Sequence, residues 1–590
     1  MKTSVSIPAG LLAALLLGGC QHLEPLATAP EPAGPATETA PGAEADQTGA
    51  PPASPAVAEL SGDVLFDILL GEIAGQRNRL DVSVEHYLRA AESSRDPRVA
   101  ERALRIAAFA KDERAALAAS RRWVELAPDS LDARQSLAVL ALRAGIEDEA
   151  FTQLEQIITE LGAGDQAFTA VTGLLARDED RQAALQLMQR LAQQYPERPD
   201  AQLALSRLAQ HAGRPEVGMA AVERALTLRP DWSEALIQRA RLRVQGGEQE
   251  LALQELAAAV QRQPDSLPVR MTYARLLLEA REFQAAEQQF RQVVEQDPEH
   301  LDAIYSLGLL ALEVERYDAA GKRFERLLEL GGRTQESRYY LGRINEAQDA
   351  PESAIEWYDR VREGDYLLDA QLRSARLRAQ LGEVEAARRQ LHGMRVRNPE
   401  LAVQLYIAEG ELLVTVGAEQ QAMDLYDSVL DTMPDNPDLL YARALLAEKL
   451  GRLTQTEQDL RRVLEVEPDN AHALNALGYT LADRTDRYGE ALTYIEKALA
   501  LRPEDPAILD SMGWVQYRLG NLEQAEAYLR RALEQAQDGE IAAHLGEMAS
   551  VDRCPIVAFE PGGEPVCVEH TAPASARARP ARVVFSDIVC

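Results

Sequence analysis

An all-α solenoid, built from antiparallel helix pairs stacked one upon the next, is the fold the sequence predicts. Three observations carry that expectation. Helix-like segments are closed by Pro128, Pro196, Pro230, Pro264, Pro298, Pro399, Pro434, Pro468 and Pro503, with gaps of 68, 34, 34, 34, 101, 35, 34 and 35 residues. Ala, Leu, Glu, Gln and Arg dominate a chain whose aromatic content is only 5%, the profile of a helical protein. Small residues recur at fixed distances from large apolar ones, as two closely approaching helices require.

The elements follow in order from the N-terminus. Lys2 precedes an apolar run from Leu11 to Leu17, seven residues long, against the roughly 20 a spanning helix needs. A basic start, a short apolar stretch and small residues before a cut site describe an export signal. Leu17-Gly18-Gly19-Cys20 resembles the bacterial lipobox, which implies a lipoprotein signal peptide over residues 1–19 and a lipidated Cys20. One acyl chain holds a protein marginally and two or more hold it stably, so a triacylated Cys20 would be a firm anchor. Gln21 stands where many inner-membrane lipoproteins carry Asp, which points to the outer membrane and a chain facing the periplasm.

Residues 20–60 read as a disordered tether. From Glu24 to Val57 the chain has eight prolines, five acidic residues and no Lys or Arg, too few large apolar groups to bury a core. These 34 residues span about 30 Å as a flexible coil and about 100 Å as extended polyproline.

Residues 61–547 carry the repeats. The 68-residue gap is two units of 34, and the 101-residue gap is three, one of them short, with Gly332 and Gly364 near the skipped positions. A fixed 34-residue period is the tetratricopeptide length. Leu307-Gly308, Ala320, Phe324 and Leu327 form one unit; Leu341-Gly342, Ala354 and Tyr358 the next. Leu477-Gly478, Ala491, Ile495 and Ala498 form another, and Met512-Gly513, Gly520, Ala525, Leu529 and Ala532 the last clear one. The early units are degenerate yet keep Gly71 and Tyr87 in register. Pro-Asp and Pro-Glu steps end one helix and offer an acidic cap to the next. The span from Val64 to Gln537 holds roughly fourteen pairs at one per 34 residues. The expected architecture is a superhelical tetratricopeptide-repeat solenoid whose first helices line a long concave wall.

On that wall the helical spacing places Tyr305, Tyr339, Arg343, Arg376, Tyr441, Asn475, Tyr479, Trp514 and Tyr517. Tyr, Trp and Arg supply contact area, hydrogen bonds and carboxylate pairing at modest entropic cost, so these are the candidate partner-binding groove. Packing between helices is the competing use of the same residues.

Residues 548–590 break the pattern. "GEIAAHLGE" opens another first helix at Gly539, but clustered Pro and Gly follow, with three of the four cysteines. This tail reads as irregular and disordered, either a short appendage or the product of a shifted frame. Cys554, Cys567, His570 and Cys590 lack the C-x-x-C spacing of a zinc site. A Cys554–Cys567 disulfide in an oxidising compartment is the alternative, leaving Cys590 unpaired.

Charge and motifs narrow the function. With 94 acidic against 62 basic residues and a formal charge of −32, a nucleic-acid partner is disfavoured. The chain has no G-x-S-x-G, H-E-x-x-H, Walker loop or dinucleotide fingerprint, so no catalytic residue, metal ligand or cofactor site is expected. Its abundant carboxylates fall on solvated helix faces.

"GEIAGQRNRL", "RDPRVAERALRIAAFA" and "LDSMGWVQYRLG", set behind a lipobox and an acidic Pro/Ala linker, resemble the large tetratricopeptide-repeat outer-membrane lipoproteins of Gammaproteobacteria, from Cys20 to about Glu547. The resemblance implies an LbcA-like adaptor. Such a scaffold has no catalysis of its own, binds a periplasmic carboxyl-terminal-processing serine protease, and delivers peptidoglycan cross-link hydrolases to it. A scaffold for exopolysaccharide export, secretion or pilus assembly would use the same anchor, tether and solenoid.

Overall fold

The computed structural model describes residues 61–536, 538–551, 557–558 and 566–567. The lipobox, the tether, Cys554, His570 and Cys590 lie outside the described residues. Twenty-nine α-helices and one short 3-10 turn at Pro399–Leu401 make up the described chain, apart from a two-residue strand pair in the tail. There Val557 lies opposite Cys567 and Ala558 opposite Val566. The fold is the all-α tetratricopeptide solenoid expected.

The chain divides into two compact units, one ending at Gly332 and the other beginning at Arg333. The first opens with α1 Gly62–Gln76, α2 Leu80–Ser93, α3 Pro97–Phe109, α4 Glu113–Leu126, α5 Leu131–Arg143, α6 Glu147–Glu160, α7 Asp165–Leu175 and α8 Arg181–Gln194. It continues with α9 Pro199–His211, α10 Pro215–Leu228, α11 Ser233–Gln245, α12 Gln249–Arg262, α13 Leu267–Glu279, α14 Phe283–Gln296, α15 Leu301–Glu313 and α16 Tyr317–Glu329. The second holds α17 Thr334–Ala347, α18 Pro351–Tyr358, α19 Leu367–Gln380, α20 Val384–Arg397, α21 Ala402–Thr415, α22 Glu419–Leu430 and α23 Pro437–Lys449. It ends with α24 Leu453–Val466, α25 Ala471–Arg484, α26 Tyr488–Leu501, α27 Pro506–Arg518, α28 Leu522–Gln535 and α29 Gly539–Val551.

Odd-numbered helices are the first members of fourteen pairs, and α29 stands as a further first helix. It reaches Val551, four residues past the boundary expected at 547. Short turns fold each second helix back on its first, the αα-hairpin, and within each unit each pair packs on the next. Helix starts are set locally. Asp96, Asn436 and Asp505 accept hydrogen bonds from the first-turn amides while Pro97, Pro437 and Pro506 occupy N1, the position where a missing N–H costs nothing. The turn inside a pair needs a left-handed residue, supplied by Gly451 at φ 72° and Gly520 at φ 82°.

What holds a pair together is a small residue facing a large one. A Cβ on Gly308 would lie 2.9 Å from the Phe324 ring, and one on Gly513 2.6 Å from Leu529. Gly71 meets Tyr87 in the same way, at 2.5 Å, in the most degenerate unit, and the Ser83 hydroxyl there donates to the Gly71 carbonyl at 2.7 Å. These approaches bury rings that dominate core energetics. The core is accordingly a chain of local clusters, Leu154, Ile157, Phe168 and Met188 in the first unit and Leu413, Tyr426, Leu460 and Leu477 in the second.

Candidate partner-binding face

Equivalent positions of successive first helices become neighbours, and the 34-residue period puts candidate residues there. Tyr339 and Arg373 are 34 apart; so are Tyr441 and Asn475, then Asp510 and His544. This register is the backbone of the site in the second unit.

Tyr339 on α17 is buried, and its hydroxyl donates to Asp369 Oδ2 on α19 at 2.6 Å. Its ring stacks on Tyr366 with centroids 4.5 Å apart and planes 20° off parallel. Arg343, one turn along α17, donates to the Tyr339 hydroxyl at 3.2 Å. Arg373 donates from Nε to Asp369 at 2.9 Å and reaches Glu346 at 3.2 Å. Tyr358 on α18 closes the group, donating to Glu346 at 2.6 Å. Burial, followed by the charge of Glu346, drives the Tyr358 phenol well above its ordinary range. Burial opposes ionisation of Asp369 as well, but the Arg373 guanidinium and the Tyr339 hydroxyl outweigh it and hold that carboxyl low. The result is a fixed lattice of paired charges under aromatic cover.

The other candidates divide by exposure. Tyr305, in the first unit, is buried on α15 edge-to-face with Phe324 at 6.2 Å and 77°. Arg376 is exposed on α19, and its charge works against the upward pull of burial on the Glu411 carboxyl of α21. Tyr441 is half-buried on α23, its phenol raised by burial and by Glu448 and Asp505. Asn475 on α25 keeps a buried Oδ1 without a hydrogen-bond partner. Tyr479, one turn on, reaches across to α29, donating to Glu540 at 3.3 Å. Trp514 on α27 is buried, tilted on Tyr517 at 5.3 Å and stacked on His544 at 4.4 Å.

Arg343, Arg376, Asn475, Tyr441, Tyr479 and Tyr517 therefore reach solvent in part, while Tyr305, Tyr339 and Trp514 serve the packing beneath them. Sequence reasoning overlooked Tyr366, Asp369, Arg373, Asp510, Glu540 and His544. The signal that finds three of them is the period itself: stepping 34 residues from a groove tyrosine or between first helices lands on Arg373, Asp510 and His544. Among the described residues, no three metal-ligating side chains are placed to hold an ion, and no helix is long and apolar enough to cross a membrane.

Stacked helix pairs with Tyr, Trp and Arg repeated along their first helices define a protein-interaction scaffold. Profiles described as tetratricopeptide repeat match residues 305–366 and 441–506, and a second such profile matches 244–311 and 485–546. The TPR repeat-containing protein PA4667 of Pseudomonas aeruginosa is 43% identical over 537 residues, spanning 91% of this chain and 89% of that protein. The chain belongs to this family of tetratricopeptide repeat-containing proteins. Among solved structures, the APC/C hetero-tetramer Cut9–Hcn1 aligns over 83% of this chain and 97% of its own at 14% identity, with a TM-score of 0.26. A tetratricopeptide repeat protein from Parabacteroides merdae aligns over 48% and 98% at 14% identity, with a TM-score of 0.28.

Proposed function

We propose that this chain is a non-catalytic adaptor, held at the outer membrane by a lipidated Cys20 and facing the periplasm. It binds a carboxyl-terminal-processing serine protease and presents cell-wall hydrolases to it. The observation that carries the scaffold reading is the run of partly exposed Tyr and Arg side chains on successive first helices, from Arg343 on α17 to Tyr517 on α27. The anchor and the protease partner are supported by the lipobox, the acidic linker and the motifs shared with repeat lipoproteins. Tethering gives the adaptor its purpose, because a membrane-held scaffold keeps protease and substrate at high local concentration. Affinity capture of the acylated protein from solubilised envelopes tests the partner. A serine peptidase recovered together with peptidoglycan hydrolases supports the adaptor. Subunits of an export or pilus machine without a peptidase replace it with the assembly-scaffold reading.

A further inference from the structure

The last described helix is held to the solenoid in an unusual way. The first helices α19, α21, α23 and α25 each lie between a preceding and a following pair, whereas among the described residues no second helix follows α29. Its buried apolar anchors are Ile541, against Leu509 and Ala532, and Met548, against Ala525 and Leu529. A polar interaction beside these anchors contributes to whether the helix stays docked.

That interaction is centred on His544. The ring is buried, and its Nδ1 lies 3.0 and 2.9 Å from the two Asp510 oxygens of α27. One face stacks on Trp514 at 4.4 Å and 25°, the arrangement in which an imidazolium gains from the ring quadrupole. Nε2 sits 3.5 Å from the Tyr479 hydroxyl of α25, which also donates to Glu540 at 3.3 Å. The charged groups around the imidazole are Asp510 from α27, Asp483 from α25 and Glu540 from α29 itself. The charge of Glu540 in turn contributes to raising the Glu448 carboxyl of α23, chiefly raised by burial. Arg518 lies over the Trp514 ring at 6.0 Å and is tied to the Tyr488 hydroxyl and the Asp483 carbonyl. The second helix α28 packs Ala525, Leu529 and Ala532 against α29, with the titratable Tyr528 beside the Ile541 cluster. Among the described residues, a cation at His544 offsets Asp510 and Glu540 together.

We propose that α29 is a proton-dependent clasp: the imidazolium of His544, seated between Asp510 and Trp514, keeps the helix docked over Trp514 and Tyr479, and loss of its proton releases it and bares both aromatics on the first-helix face. Burial of His544 disfavours its charged form, but the Asp510 hydrogen bond, with the charges of Asp510, Glu540 and Asp483, more than compensates and raises its pKa. The direction follows. Docking is strongest below the ordinary histidine value of about 6.5 and weakens as pH rises through the raised one.

Amide hydrogen exchange of the full chain from pH 6 to pH 9, corrected for intrinsic exchange, tests this. The opening constant of Gly539–Val551 should rise with pH across this range, while that of Pro506–Arg518 stays level. His544→Gln keeps a hydrogen-bonding side chain but cannot titrate, so its α29 exchange should not respond to pH. Asp510→Asn should move the wild-type transition to lower pH, read also as Trp514 emission in difference against Trp514→Phe. A level α29 exchange profile in the wild type overturns the clasp. So does a transition that survives unchanged in His544→Gln or in Asp510→Asn.

Discussion

Gly342 on α17 lies so close to Tyr358 on α18 that a methyl group on its Cα would sit 2.5 Å from the tyrosine ring. The two residues are sixteen apart in the chain, the same interval that separates Gly71 from Tyr87, Gly308 from Phe324 and Gly513 from Leu529. Within each pair, the helix approach is set by an absent side chain.

Substituting that glycine measures the effect. Gly342→Ala forces the Tyr358 ring off its hydrogen bond to Glu346 and should cost about 1–3 kcal/mol in urea unfolding, as overpacking does. Gly321→Ala on α16 is the contrast, because nothing beyond its own helix backbone and chain neighbours lies within 4 Å of the added methyl. It should stabilise the chain by up to about 1 kcal/mol through helix propensity alone.

Buried charge gives a second contrast. Glu409 on α21 is 3% exposed and accepts from Arg388 Nε at 2.8 Å and from Arg395 Nη1 at 2.7 Å. Glu409→Gln leaves the Arg395 guanidinium buried without its counter-charge and should cost about 3–5 kcal/mol. The Arg462–Glu465 pair is open to solvent at both ends, and Glu465→Gln should cost less than about 1 kcal/mol. Thermal unfolding of the two variants side by side reads the difference.

Binding can be separated from stability on the first-helix face. Arg376 is exposed and makes no part of the core, so Arg376→Ala should leave the melting temperature within about 2 °C of wild type, as for a surface substitution. Its effect should appear instead as a lower yield of captured partner. Tyr339→Phe removes the bond to Asp369 and should show the reverse pattern, a stability loss of about 1 kcal/mol with less direct effect on capture.

Anchoring makes its own prediction. With Cys20 as the proposed site of lipid attachment, Cys20→Ser should move the protein from the membrane pellet to the soluble periplasmic fraction. Full partner activity in cells from that soluble variant would separate the anchor from the function.

The repeat architecture was legible because its determinants are local and recur: a proline, a small residue and a large apolar one every 34 residues are enough to set pair geometry and count. The polar side of the face was less so. Asp510 and His544 lie in consecutive repeats with nothing in their immediate neighbours to mark them, and an acidic residue on an acidic chain reads as solvated until its partner is seen. The aromatic candidates were found, but their division between packing and solvent depends on burial. Tyr339 and Tyr441 occupy similar helical positions, yet one is enclosed by Tyr366 and Asp369 while the other stays half-open.

The adaptor reading is tested most directly by reconstitution. A purified carboxyl-terminal-processing peptidase is mixed with a cell-wall hydrolase, with and without this protein, and loss of the hydrolase is followed over time. The account predicts that adding the protein speeds degradation by at least about tenfold, since joining two weak encounters on one scaffold raises effective concentration, and that Arg376→Ala reduces the gain. An identical rate with and without the protein, at concentrations where it is folded, would contradict it.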